Sequence, residues 1–438
     1  MDELKNIVIV GGGFAGTTLA GALERRLPAG HRVVLVSEES YTTFNPMLAE
    51  VVGASVFPEH VVAPLRQMLD AGQGSQFIMG RVAEVDFEGR TLTAATLAGT
   101  RRIPYAQLVF AFGTRANLEL VPGLAQHALP LKLVGDAMFI RNRVLQRVAR
   151  IELESDAALR RRLGHFVVIG GGFSGVEVAG ELADFLRSAS RFYPLVREEE
   201  LRVSLLQDGD RLLPELPASL GHAAAASLRA RGIDVRLATS AARVDADGVL
   251  LGSGEFLDAG TAICTIGTRP NALAQAIGLR LQRGRIPVCA DLSVPDVDGV
   301  WAIGDCAAIA NAAQPGSLAP PTAQFAVAEA RTLAHNIAAR LGGRPTRAFG
   351  HVAKGTMATT GHLKGVAQLF GLRLSGLGAW LLWRAFYLWR MPTLGRKFRI
   401  WVEWTWGMFF AADITHLRFT RTGDTEPDAP APNPLVQP

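Results

Sequence analysis

NIVIVGGGFAGTTLAGALERRL, residues 6–27, and HFVVIGGGFSGVEVAGELADFL, residues 165–186, share one design. Each opens on an apolar, largely β-branched run, passes through three consecutive glycines, and continues in an alanine- and leucine-rich helical pattern. An apolar run this short, ending in glycines, reads as a buried parallel strand. In Gly11-x-Gly13-x-x-Gly16 the first glycine allows the tight turn. The second lets a pyrophosphate approach the backbone, and the third lets the helix pack on the strand. The free amides and dipole of the helix N-terminus then face the anion. Gly170-x-Gly172-x-x-Gly175 repeats this 159 residues on (170 − 11). Two such units predict an α/β chain with two Rossmann-like domains, each holding a dinucleotide.

The flanking segments fit that plan. RVVLVSEES (32–40) and LRVSLLQDGD (201–210) are the expected next strands, with a polar insertion from Arg187 to Glu200 before the second. Residues 76–104 alternate in short runs, as in a small antiparallel sheet, and 234–257 is similar. The acid that binds an adenine ribose is expected about 20 residues past the glycines. Glu38 fills that place in the first unit, with Glu39 the competing candidate. In the second unit Gln207 stands at the strand end, with Asp208 next to it and Arg211 nearby. A neutral amide there would not repel a 2′-phosphate, so NADPH joins NADH as a candidate. Gly113, in AFGTR, and Gly267, in IGTRP, end small-residue strands where the chain crosses between domains close to a cofactor. Gly304-Asp305 ends another, able to aim an N–H and a carboxylate at a flavin's phosphate and ribityl chain.

Charged residues are 19% of the 438, with 45 basic and 40 acidic, and hydrophobic residues are 49%. That balance excludes a disordered chain. Three cysteines without CxxC or CxxxxC spacing exclude dithiol chemistry and a disulfide framework, and point to a reducing compartment. The start, MDELKN, has no basic n-region, so no signal peptide is expected. The nine histidines show no metal-ligand spacing, so no metal is expected. Six of the seven tryptophans fall between Trp380 and Trp406, interleaved with Arg384, Arg390, Arg396, Lys397 and Arg399, with Glu403 the one acid. No uncharged apolar run reaches the roughly 18 residues of a simple span. Indoles and cations so mixed predict amphipathic helices lying on an anionic membrane, each cation adding about 1 kcal/mol. The same patch would also serve a homodimer. The cations accompany tryptophans and leucines, which gives no support to nucleic-acid binding.

Further motifs sharpen the reading: Tyr41-x-x-Phe44-x-Pro46-Met47-Leu48, Gly172-Phe173-Ser174-Gly175-Val176-Glu177, Pro321-Thr322-Ala323-Gln324-Phe325-Ala326, and KGTMATTG at 354–361. With Leu374-Ser375-Gly376 running into the tryptophan-rich end, these resemble the type II NADH:quinone oxidoreductases, from residue 5 to about 419. The resemblance implies FAD in the first unit, NAD(P)H in the second, and a quinone reached from the membrane side. It implies hydride transfer to FAD and two electrons passed to quinone, in a respiratory chain without proton pumping. Glu177 and Gln324 match the family's acid and glutamine beside the flavin. FAD contacts are implied at Gly11, Gly13, Phe14, Ala15, Gly16, Glu38, Pro46, Val82, Gly113, Lys132, Gly304, Asp305, Ala323 and Gln324. NAD(P)H contacts are implied at Gly170, Gly172, Phe173, Ser174, Gly175, Glu177, Gln207 and Gly267. Glu181, one turn past Glu177, reads as structural. The family often carries a second glutamine a few residues after Gln324, where this chain has Ala328 and Glu329.

The domain plan expected is an FAD domain at 1–120 and 286–365, an NAD(P)H domain at 121–285, membrane-associating helices at 366–420, and a proline-rich disordered tail at 421–438. The expected location is the cytoplasmic face of the cell membrane, as a peripheral protein. The competing reading is a soluble NAD(P)H-dependent flavin reductase with a protein acceptor. A sulfide:quinone oxidoreductase would need redox cysteines, and Cys306 has no evident partner.

Overall fold

The computed structural model describes residues 4–417, so the expected tail at 421–438 lies outside them. The chain divides into two compact units. One gathers residues up to 43, 62–115 and 268–354; the other gathers 44–61, 116–267 and those from 355 on.

The first unit is built on a seven-stranded sheet. Its order is Val300–Ala302, Gln107–Phe110, Lys5–Val10, His31–Ser37, Gln76–Asp86, Thr91–Thr96 and Gly99–Pro104. The first four strands run parallel, and Ile7, Val8 and Ile9 are wholly buried, as an unbroken apolar run requires when both faces are covered. The expected small antiparallel sheet is not separate. Strand Gln76–Asp86 pairs parallel to Val34–Ser37 through its first residues and antiparallel to Thr91–Thr96 through its last, with an irregularity between Val82 and Glu84. Eleven residues are long enough for both roles. Helices Phe14–Glu24 and Ala323–Leu341 pack in this unit, their alanines allowing close approach.

The second unit holds a five-stranded, all-parallel sheet in the order Ala128–Pro130, Thr261–Cys264, His165–Ile169, Arg202–Leu206, Asp234–Arg236. Helix Phe173–Ser190 follows the second glycine turn. Asp234–Arg236 joins the parallel sheet, and only 241–258 forms the expected antiparallel ribbon. The stretch Arg187–Glu200 is more ordered than its polarity suggested. The helix runs to Ser190, and Glu200 is buried on a fork of hydrogen bonds from Arg160 at 2.7 and 2.8 Å. That ion pair holds the Glu200 carboxyl down to about 2.

A three-stranded antiparallel sheet (355–376) leads into helices Leu377–Arg390 and Leu394–Trp406. Among the described residues no helix is long and apolar enough to cross a membrane. The aromatic end is two-faced. Trp380, Trp383 and Trp404 are buried, whereas Trp389, Trp401 and Trp406 are more than half exposed. Arg384 leaves the expected outward cation set. Its guanidinium lies 3.8 Å from the Trp380 ring centre and 4.6 Å from that of Trp404, and 4.0 Å from Glu50. Glu403 also turns inward, 2.9 Å from His60 and accepting the Phe57 N–H.

Candidate functional site

Each unit presents the same cradle. At Gly11 (φ +117°) a Cβ would stand 2.3 Å from the Ala111 carbonyl oxygen, and at Gly16 1.9 Å from that of Gly11. At Gly170 (φ +113°) a Cβ would meet Ile266 at 2.5 Å, and at Gly175 the Gly170 carbonyl oxygen at 1.7 Å. These four are glycines because the protein itself leaves no room. Gly13 and Gly172 differ. Both have extended backbones open to any residue, and a Cβ on either meets nothing within 4 Å. The empty volume lies directly at a helix N-terminus, where amides without helical acceptors suit a phosphate. The residues present therefore fit a dinucleotide in each unit.

Around the first cradle, Glu38 follows the last residue of its strand. Its carboxylate is shared by Arg115 at 2.9 Å and Arg81 at 3.4 Å. Phe14 and Ala15 open the cradle helix, Gly113 is left-handed at φ +63°, and Val82 is buried in the long strand. Asp305 accepts a 3.4 Å bond from the Thr114 hydroxyl. The Gly304 N–H is taken by Glu329 at 2.7 Å, so it does not point at a ligand. Ala323 and Gln324 begin their helix, with Thr322 as its cap, which leaves the Gln324 amide free of the capping role. Pro46 and Lys132 fall in the second unit, where Asn45 donates to the Lys132 carbonyl at 3.3 Å and so draws the two segments together.

Around the second cradle, Gln207 is buried and its side-chain oxygen accepts the Gly171 N–H at 2.8 Å. Asp208, its rival, is exposed and bonds the N–H of Gly209. Gly267 is left-handed, and a Cβ there would collide with Leu120 at 2.0 Å. Phe173 and Ser174 form the first turn of the helix that carries Glu177.

Glu177 is the centre of a buried carboxyl group cluster. It accepts the Thr359 N–H at 3.2 Å and the Trp383 indole N–H at 3.1 Å. Burial pushes its carboxyl up to about 8. Glu181, one turn on, accepts from the Ser55 hydroxyl at 2.8 Å, and Glu50 from the Trp404 indole at 3.1 Å. Burial raises both of these carboxyls too, with Arg384 opposing the rise. Near neutral pH such a cluster holds protons in its interior. Sequence reasoning passed over Glu50 and assigned Arg384, Trp383 and Trp404 to the membrane-facing patch instead. Glu50 left one trace, as a single acid inside the apolar run MLAEVV.

Two dinucleotide cradles on parallel sheets define a flavoprotein class of oxidoreductase. The family model for pyridine nucleotide-disulphide oxidoreductases matches residues 5–330. Demethylphylloquinone reductase NdbB of Synechocystis sp. is 30% identical over 411 residues, covering 92% of this chain and 96% of that protein. Type II NADH:quinone oxidoreductase Ndh of Mycobacterium tuberculosis is 29% identical over 415 residues, covering 91% and 87%. The structure of NDH2 from Plasmodium falciparum in complex with NADH superposes with a TM-score of 0.85 at 19% identity, over 94% of this chain and 99% of that one. The chain belongs to the pyridine nucleotide-disulphide oxidoreductase family, in its type II NADH:quinone oxidoreductase branch. The disulphide of the family's title has no counterpart here. Cys264, Cys289 and Cys306 are all free, and burial pushes the Cys306 thiol up to about 12.

Proposed function

We propose that this protein oxidises NADH through FAD and reduces a quinone at a membrane surface, without pumping protons. The observation that carries the reading is the pair of open cradles at Gly13 and Gly172, one in each unit. Flavin and nicotinamide, when bound, supply the redox chemistry. The chain's residues bind, orient and hold protons. The first cradle with Glu38, Gly113 and Asp305 holds FAD, and the second with Gln207 and Gly267 holds the nicotinamide nucleotide. Glu177 keeps a proton on a buried carboxyl at neutral pH, ready to bond an amide or to serve a proton-consuming acceptor. Gln324 offers a donor and an acceptor to flavin or quinone carbonyls. Purified protein carrying FAD, mixed with liposomes and a short-chain quinone, should oxidise NADH without added thiol. Failure with every quinone of a panel, at full FAD content, overturns the reading.

The exposed side of the last two helices supports membrane binding, on the cytoplasmic face in this reading. Trp389, Trp401, Trp406, Leu394 and Phe398 are exposed there beside Arg390, Lys397 and Arg399. Replacing Trp389, Trp401 and Trp406 together by serine should reduce co-sedimentation with anionic vesicles at least about tenfold, while NADH oxidation with a soluble acceptor persists. If vesicle binding is unchanged and sedimentation velocity shows a dimer splitting to monomers, the face pairs two copies instead.

Gln207 sets the nucleotide preference in this reading. Gln207→Glu keeps an acceptor for the Gly171 N–H and adds a charge beneath the cradle. The ratio of kcat/KM for NADPH to that for NADH should fall about tenfold, since one tenfold step is only about 1.4 kcal/mol of repulsion. An unchanged ratio removes Gln207 from ribose recognition.

A further inference from the structure

Glu329 stands two turns into helix Ala323–Leu341 and is 3% exposed. Its carboxyl accepts the Gly304 N–H at 2.7 Å. Gly304 is left-handed (φ +74°), and a Cβ on it would stand 3.2 Å from that of Ala15 in the cradle helix. The turn Gly304–Cys306 is thus held between the helix of the first cradle and a buried acid reaching over from the other helix. The next residue, Asp305, is the carboxylate assigned to the FAD. The charged groups that bear on Glu329 are Asp305, which disfavours its ionisation, and Arg285, which favours it. Cys306, in the same turn, stays a neutral thiol. Burial is the largest influence and lifts the Glu329 carboxyl to about 7, against the hydrogen bond from the Gly304 N–H, which favours the ionised form.

We propose that Glu329 is a proton-linked positioning residue: it holds the Gly304–Asp305 turn through the Gly304 N–H, and its ionisation puts a negative charge beside Asp305 that weakens FAD retention. The inference rests on FAD occupying the first cradle. FAD brings a doubly charged pyrophosphate to the unit that already holds Asp305. A protonated Glu329 accepts the Gly304 N–H without adding charge. An ionised one places a second buried negative charge beside Asp305. Proton binding at Glu329 and FAD binding therefore favour each other, and by linkage FAD is held less tightly as pH rises through neutrality. A glutamine in this place would accept the same N–H and stay neutral at every pH.

The test uses the FAD-loaded protein diluted into buffers from about pH 6 to about pH 8.5, with released FAD read by its fluorescence. If FAD moves the Glu329 pKa by about one unit, release from the wild type should increase about tenfold across this range. Glu329→Gln should hold FAD as tightly at the upper end as at the lower. Release independent of pH in the wild type overturns the inference, and so does a Glu329→Gln protein that keeps the wild-type pH dependence. Protein that purifies without FAD and takes none up would overturn the functional reading itself, and this inference with it.

Discussion

Gly172→Val should leave FAD in place and lower kcat/KM for NADH by at least about 100-fold, a loss of roughly 2.7 kcal/mol in transition-state binding. The backbone at Gly172 (φ −74°, ψ −170°) is extended and suits valine, and a Cβ there touches no protein atom within 4 Å. Folding therefore tolerates the change. What the side chain fills is the volume at the helix N-terminus that the nucleotide phosphates need. Gly13→Val should do the corresponding damage in the first unit, emptying the protein of flavin. Gly175→Val is the contrasting case. Its Cβ would collide with the Gly170 carbonyl at 1.7 Å, so it should fail to fold rather than fail to bind. Absorbance of bound flavin against protein, thermal melting and stopped-flow bleaching by NADH separate the three outcomes. Flavin bleached by NADH at the wild-type rate in Gly172→Val would show that no nucleotide uses the second cradle.

These glycines were legible because their cause is local. A strand that must turn into a helix within three residues leaves its mark on consecutive letters, and both parallel strands announced themselves as short apolar runs between turns. The double pairing of Gln76–Asp86 was not legible, because its two partners, Val34–Ser37 and Thr91–Thr96, lie on opposite sides of it in sequence. Arg384 misled for a related reason. Among leucines and tryptophans an arginine looks like a headgroup anchor, yet stacking between Trp380 and Trp404 beside Glu50 supplies the same cation with an interior place. Nothing near residue 384 encodes an acid more than 300 positions away. Glu38 was found by its spacing, but the arginines that share it, Arg81 and Arg115, come from two other segments.

The carboxyl cluster of Glu50, Glu177 and Glu181 makes the second large effect one of stability. All three have folded pKa values raised above the ordinary glutamate range, Glu177 to about 8. Between about pH 4.3, where an unfolded glutamate titrates, and about pH 8, these three carboxyls bind more protons in the native protein than in the unfolded chain. Their contribution to the unfolding free energy therefore falls as pH rises through that window, by up to about 1.4 kcal/mol per pH unit for each proton retained, and levels off above it, while His165 and His362, whose pKa values burial lowers, act in the opposite sense. Arg384 limits the loss by opposing ionic Glu50 and Glu181 with a buried cation. Arg384→Met removes that opposition and also the guanidinium stacked between Trp380 and Trp404. At about pH 8 it should cost about 1–2 kcal/mol more than at about pH 6, since a carboxyl that titrates near 7 or 8 retakes its proton rather than stand ionised and unpaired. At about pH 6 the carboxyls carry protons and the cost should shrink to the lost packing. Adding Glu50→Gln to Arg384→Met should restore stability at both pH values and more at about pH 8, because a glutamine takes up no proton on folding. Urea unfolding of the FAD-loaded wild type, the single and the double variant at both pH values reads all of this. A cost of Arg384→Met no larger at about pH 8 than at about pH 6 would mean that these carboxyls do not ionise between the two.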